Sequence, residues 1–154
     1  MDSYWEKFKT PFLCFAGFSG VGKTTLVEKL VTRFQKESIR VGYYKHDSHR
    51  FEMDKTGKDT ARVRQAGAGI VAINDPTHFG VLADNDFKQL TITHALERCD
   101  CILIEGYKQS PFDKIVFVDA KGKLPIPPES QGIRAIVHQG TGALETLIEQ
   151  GIPV

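Results

Sequence analysis

"GFSGVGKT", Gly17-Phe18-Ser19-Gly20-Val21-Gly22-Lys23-Thr24, decides how the rest of the chain is read. It fits G-x-x-x-x-G-K-[ST] at every fixed position. Residues 12–16 before it are uniformly apolar, as in a strand covered on both faces. After it, Val27, Leu30, Val31 and Phe34 fall at i, i+3, i+4 and i+7, one stripe of a helix. A glycine-dense turn in that setting has a specific physical use. Its backbone angles turn successive N–H groups inward, where they converge with the positive helix N-terminus on phosphate oxygens. Lys23 adds a point charge for the outer phosphates, and the Thr24 hydroxyl suits Mg²⁺. The expected ligand is a nucleoside di- or triphosphate with Mg²⁺. A ligand-free glycine turn is the bland alternative, and the strand-before, helix-after context disfavours it.

The same alternation of short apolar runs and amphipathic stretches continues along the chain. "IRVGYYKH", ending at His46, reads as a second strand, and "HDSHRFEMDKTG" as the loop at its end. A short helix is expected over residues 58–66, stopped by Gly67. "GIVAIN" and "FGVLA" flank Asn74-Asp75-Pro76 and predict a hairpin. Ile92, Ala95, Leu96 and Cys99 have helical spacing, with Thr91 as N-cap. "CILIE", "KIVFVD" and "IRAIVH" read as further strands, and Leu144, Leu147 and Ile148 as a closing helix. There is no repeat. The expectation is one α/β domain over residues 1–154, with residues 1–10 an N-terminal extension. Its architecture is three-layer α/β/α of the P-loop NTPase kind, with a mainly parallel sheet and an antiparallel hairpin.

Composition narrows the partners. In 154 residues, 41% are hydrophobic and 25% charged, with a net charge of +1. That balance argues against a broad nucleic-acid or membrane-surface footprint, so any basic site is local. The first ten residues lack a signal-peptide core, and no run reaches the length of a membrane span, so the expected location is cytoplasmic. Three cysteines without C-x-x-C make poor disulfide or zinc material; Cys99 and Cys101 read first as small buried apolar side chains. His46 and His49 form H-x-x-H, but in a loop without a third ligand, where solvated or hydrogen-bonded histidines are the plainer reading.

A site of this kind takes a second metal-side carboxylate from the end of a neighbouring strand. Glu105 leaves "CILIE" at the carboxyl edge, where ligand crevices lie, and is the candidate, acting on Mg²⁺ through water. Its alternative is a solvated strand end. Asp100, about five residues earlier at ~3.3 Å per residue, is too far away to share that metal.

Other segments are more particular. "YKHDSHRFEMDKTGKDTARVRQAG" joins Lys45-His46 to Asp54-x-x-Gly57-Lys58-Asp59-Thr60 and Arg64-x-Ala66-Gly67, and "ILIEGYK" follows at residues 102–108. With the phosphate loop, this set resembles the molybdopterin-guanine dinucleotide biosynthesis protein B (MobB) family over residues 12–119. The resemblance implies a GTP-binding adapter with weak intrinsic hydrolysis, assisting formation of molybdopterin guanine dinucleotide in molybdenum cofactor biosynthesis. Implied partners are a MobA-like molybdopterin guanylyltransferase, molybdopterin-bearing enzymes and a second copy of the chain. By position, Gly17, Ser19, Gly20, Val21, Gly22, Lys23, Thr24 and Thr25 would bind the phosphates. Lys45, His46, Asp54, Lys58, Asp59 and Arg64 fall on the second motif, and Glu105 and Lys108 on the third. Lys58 and Arg64 suit an anionic pterin or nucleotide phosphate. Asp54 or Asp59 would hold Mg²⁺ or orient water, and Asp59 equally fits an i,i+3 pair with Arg62.

Two absences bear on whether the nucleotide is cut. Phe18 stands where some P-loops carry an extra lysine, and no N-K-x-D occurs, so guanine over adenine rests on the resemblance alone. No water-orienting glutamine or arginine finger is evident; Lys23, Thr24 and Glu105 are the chemical leads, and slow turnover is the physical expectation. The rival reading is a small kinase transferring the γ-phosphate of ATP to a metabolite. An Arg-rich lid would be expected late in such a chain, and "GKLPIPPESQGIR" offers only Arg134.

Overall fold

The apolar runs at Phe12–Gly17, Cys101–Glu105 and Lys114–Phe117 become central strands because they are buried within the sheet. The computed structural model describes residues 8–46, 56–84, 94–127 and 130–138. These residues form β1 (Phe12–Gly17), α1 (Lys23–Lys36), β2 (Val41–Lys45), α2 (Asp59–Gln65), β3 (Ile70–Asn74), β4 (Phe79–Ala83), β5 (Cys101–Glu105), β6 (Lys114–Phe117) and β7 (Ile133–Val137). The chain divides into two compact units, Met1–His46 with Leu96–Val154, and Asp47–Ala95.

In the first unit, five strands pair in the order β2-β5-β1-β6-β7, every pair parallel. The pleat sorts side chains between two faces. Leu13, Phe15, Val41, Leu103, Ile115 and Phe117 meet α1 through Val27, Leu30, Val31 and Phe34. On the reverse face, Ala16 and Val116 pack against Leu124, Ile126 and Ile133, while Leu96 and Cys99 close over Gly42. Phe15, wholly buried, alone contributes about 2 kcal/mol of apolar burial. The predicted fold class holds: α/β, with a mainly parallel sheet and a small antiparallel one.

Parallel strands need a return path. α1 supplies it between β1 and β2, but β5 reaches β6 through residues 106–113 with no helix. Backbone and side-chain bonds fix this crossover instead. The Ser110 amide and hydroxyl both donate to the Tyr107 carbonyl, at 3.0 and 2.8 Å. The Lys114 ammonium, with no exposed surface, donates to the Ser110 carbonyl and, at 3.0 Å, to that of Gln131. A buried ammonium is tolerable because those carbonyls replace water, and burial still pulls its pKa down.

In the second unit β3 and β4 form the predicted hairpin, with Ile70 opposite Ala83 and Asn74 opposite Phe79. Asp75 organises the turn: its Oδ1 accepts from the Thr77 amide (2.7 Å), the Thr77 hydroxyl (2.9 Å) and the His78 amide (2.7 Å). The helix expected over 58–66 is α2. Of the helix expected near Ile92–Cys99, residues 94–96 are helical. Thr91, Ile92, His49, Asp54 and the closing helix at Leu144–Ile148 lie outside the described residues.

Candidate functional site

The strand–turn–helix at the centre of the sheet puts a concentration of donors at its carboxyl edge. Gly22 is the N-cap of α1, at φ 87°, a left-handed angle that a Cβ would resist. No side chain caps this helix, and its first turn carries no acid. The first-turn amides have no intrahelical acceptor, and the dipole there is positive, so an anion is the natural complement. Val21 packs into the α1-side core and pins the turn from below. The Lys23 ammonium spans the loop, donating to the Phe18 carbonyl at 2.6 Å. Burial lowers the Lys23 pKa; Glu105 acts against that, while Lys108 and Lys45 add to it. Those three side chains therefore lie close enough to act on the charge of Lys23.

The neighbouring strand ends bring the acid. Glu105 pairs in register with Phe15 of β1 on one side and Lys45 of β2 on the other, so its side chain shares the α1 face. It is 5% exposed, and its Oε1 is buried without a hydrogen-bond partner among the described residues. An unpartnered buried carboxylate oxygen costs about 1–3 kcal/mol or more unless a further group pairs with it. Tyr43, one register pair back on the same face, hydrogen-bonds Glu105; burial, then that carboxylate, pushes its pKa up to about 12. Tyr43 also lines, with Thr24, Val27, Glu28, Val31 and Thr32, a groove of about 420 Å³. A carboxylate and the exposed Thr24 hydroxyl are hard oxygen donors of the kind Mg²⁺ takes. Asp100, at the other end of β5, is occupied: its Oδ2 accepts the Arg40 amide at 2.6 Å.

Past Glu105 the chain turns through two left-handed residues, Gly106 (φ 117°) and Tyr107 (φ 48°). A Cβ at Gly106 would stand 2.7 Å from the His46 carbonyl oxygen. For tyrosine that conformation costs about 1–2 kcal/mol. Ring packing offsets it: Tyr107 stacks on His46 at 4.4 Å and 13°, and meets Phe112 edge-on at 5.9 Å. His46 thus serves as a packing partner at the end of β2, and its amide donates to the Glu105 carbonyl at 2.8 Å. Lys108 comes next, its ammonium 5.9 Å from the centre of the Phe18 ring.

The structure brings Lys23, Lys45, His46, Glu105 and Lys108 together around the loop of Gly17, Ser19, Gly20, Val21, Gly22, Thr24 and Thr25. Lys58, Asp59 and Arg64 belong to the second unit. There Lys58 is the N-cap of α2, and Asp59 lies 3.9 Å from Arg62, both largely exposed, the plain i,i+3 pair. The Arg64 Nε is buried without a partner among the described residues. No group of three potential metal-ligating His, Cys, Asp or Glu residues occurs among the described residues, and none of their helices is long and apolar enough to cross a membrane. Tyr43, Tyr107 and Lys123 were not singled out from the sequence. Tyr43 becomes visible only through the β2–β5 register; for Tyr107 the adjacent Gly106 was the available signal.

Known proteins resemble this chain in sequence and in fold. The family described as "Molybdopterin guanine dinucleotide synthesis protein B" matches residues 12–139. A molybdopterin-guanine dinucleotide biosynthesis adapter protein of Escherichia coli is 35% identical over 126 residues, 77% of this chain and 72% of that protein. One of Haemophilus influenzae is 31% identical over 131 residues, 82% of this chain and 73% of that protein. Among solved structures, Bacillus subtilis MobB superimposes with a TM-score of 0.63 at 23% identity, over 85% of this chain and 79% of that one.

Proposed function

The chain belongs to the molybdopterin guanine dinucleotide synthesis protein B family, and from that premise we propose that it is an adapter in molybdopterin guanine dinucleotide biosynthesis that works by binding GTP with Mg²⁺. One observation carries the nucleotide reading: at an uncapped helix N-terminus, Lys23 feels the charge of the buried Glu105, whose Oε1 has no hydrogen-bond partner among the described residues.

On this reading the amides from Gly17 to Thr25 cradle the polyphosphate, and Lys23 exchanges the Phe18 carbonyl for outer phosphate oxygens. The new acceptor is charged, so the bond strengthens. Thr24 and, through water, Glu105 hold Mg²⁺, which when bound neutralises charge on the β- and γ-phosphate oxygens. Tyr43 fixes the carboxylate, while Lys45 and Lys108 raise the local positive field and His46 buttresses the β5 end. Lys58 and Arg64 are assigned to a phosphate-bearing ligand of the second motif, and Asp54 or Asp59 to Mg²⁺ or the orientation of water. Hydrolysis by the isolated protein is slow, because Lys23 and Mg²⁺ act without a water-orienting glutamine or an arginine finger. The whole chain acts as one nucleotide-binding domain, as a cytoplasmic homodimer, with a MobA-like molybdopterin guanylyltransferase as its partner.

Calorimetric titration with GTP and ATP, with and without Mg²⁺ and then with the guanylyltransferase, tests this. The expected result is Mg²⁺-dependent binding that favours GTP. Absence of nucleotide binding overturns the reading, and equal affinity for ATP overturns the choice of guanine.

A further inference from the structure

Phe18, the second residue of the phosphate loop, is approached by ammonium groups from two other loops. Lys108, in the β5–β6 crossover, and Lys123, in the β6–β7 connection, each place Nζ 5.9 Å from its ring centre. The backbone beneath Lys123 is fixed. The Asp119 carboxylate accepts from the amides of Lys121 and Lys123, both at 2.9 Å. The Asp119 amide donates to the Lys123 carbonyl at 3.2 Å, and the Gly122 amide to the Asp119 carbonyl at 3.0 Å. That closed turn grows directly from the buried Val118, whose amide is bonded to the Val137 carbonyl at 3.0 Å.

Neither ammonium has a carboxylate partner among the described residues. A ring face, unlike a carboxylate, does not neutralise the cations drawn to it and leaves their N–H donors able to take an anion. Lys108 is among the charges that act on Lys23; Lys123 is not. Lys108 and Lys123 thus approach the phosphate-loop ring from different loops, Lys108 being the one close enough to Lys23 to act on its charge. We propose that Phe18, Lys108 and Lys123 form a second anion subsite, contiguous with the nucleotide site through Lys108, which takes the phosphate monoester dianion of a second ligand. Two separate point charges from two loops match a dianion with several oxygens better than a single carboxylate. The proposal rests on the nucleotide reading above, since the phosphate loop must be filled for the second anion to be distinct.

The test saturates the protein with Mg²⁺ and a non-hydrolysable GTP analogue, then titrates in phenyl phosphate, inorganic phosphate or acetate at constant ionic strength, reading ³¹P line widths and heats. Wild type should bind both phosphates and not acetate. Tighter binding of phenyl phosphate identifies a monoester ligand; preference for inorganic phosphate identifies the free ion and overturns the monoester assignment. Lys123→Gln should weaken phosphate binding about tenfold while the affinity for the GTP analogue stays within about twofold, and Lys108→Gln should weaken both. The subsite is refuted by an unchanged phosphate affinity in Lys123→Gln, by acetate binding as well as phosphate, or by parallel loss of analogue and phosphate in that variant. Failure of wild type to bind the analogue refutes the parent reading separately, because the analogue's affinity is measured first.

Discussion

Lys45 and Glu105 stand opposite each other as the last register pair of β2 and β5, and Glu105 has Phe15 of the phosphate-loop strand on its other side. A buried acid is thereby held between a cation and the strand that leads into the glycine loop. Glu105→Gln keeps the shape and removes the charge. The Mg²⁺-dependent part of GTP affinity should fall about tenfold or more, the scale of one charged contact. Affinity without Mg²⁺ should hold or improve, since a negative charge near Lys23 has gone. Paired calorimetry with and without the metal checks it; equal loss in both conditions would remove Glu105 from the metal site.

Gly106→Ala asks a left-handed position at φ 117° to accept a Cβ at 2.7 Å from the His46 carbonyl oxygen and 2.9 Å from the His46 Cβ. Strain and overlap together should cost about 2 kcal/mol or more. Urea unfolding measures the loss. A shift of a few tenths would show that the β2 and β5 ends yield easily.

Burial pushes the Cys14 thiol up to about 12; Lys114 pulls it down a little and Asp113 adds to the rise. The unfolded thiol loses its proton near the ordinary value of 9.0, whereas the folded one keeps it to about 12. Its contribution to stability is therefore complete below the lower value and lost progressively towards the higher one. Cys14→Ala should flatten the fall of stability across that alkaline range in denaturant titrations. Native Cys14 should also resist alkylation at the lower end, where partly exposed Cys99 and Cys101 react first.

In the hairpin, Asp75 is held at about 2, below its ordinary 3.8, first by the Thr77 amide and hydroxyl and then by the His78 amide. Its contribution is present above the ordinary value and lost as pH falls through the lower one. Asp75→Ala should speed hydrogen exchange at Thr77 and His78 at neutral pH. Unchanged exchange would mean that the turn is set by its backbone alone.

Where a structural cause was local, it was legible in the sequence. The run at residues 12–16, the helical stripe from Val27 to Phe34 and the Asn74-Asp75-Pro76 turn each carry their geometry in adjacent residues. The phosphate loop and the carboxyl-edge position of Glu105 were legible for the same reason. Lys114 was not: "KIVFVD" reads as a plain strand, and only carbonyls from Ser110 and Gln131 make its first residue a buried ammonium. Asp59 stood open between two readings, and in the structure it faces Arg62.

The sequence by itself determined the strand–turn–helix, because glycine angles and helix spacing act within a few residues of one another. It also determined the family, through several short motifs at matching separations. Only the tertiary structure decided that β5 lies between β1 and β2, which sets Glu105 beside Lys45 and within hydrogen-bonding reach of Tyr43. It likewise decided that loops far apart in the chain bring Lys108 and Lys123 to Phe18. Strand order and register are fixed by burying two faces of a sheet at once, a condition on the whole chain that no single segment expresses.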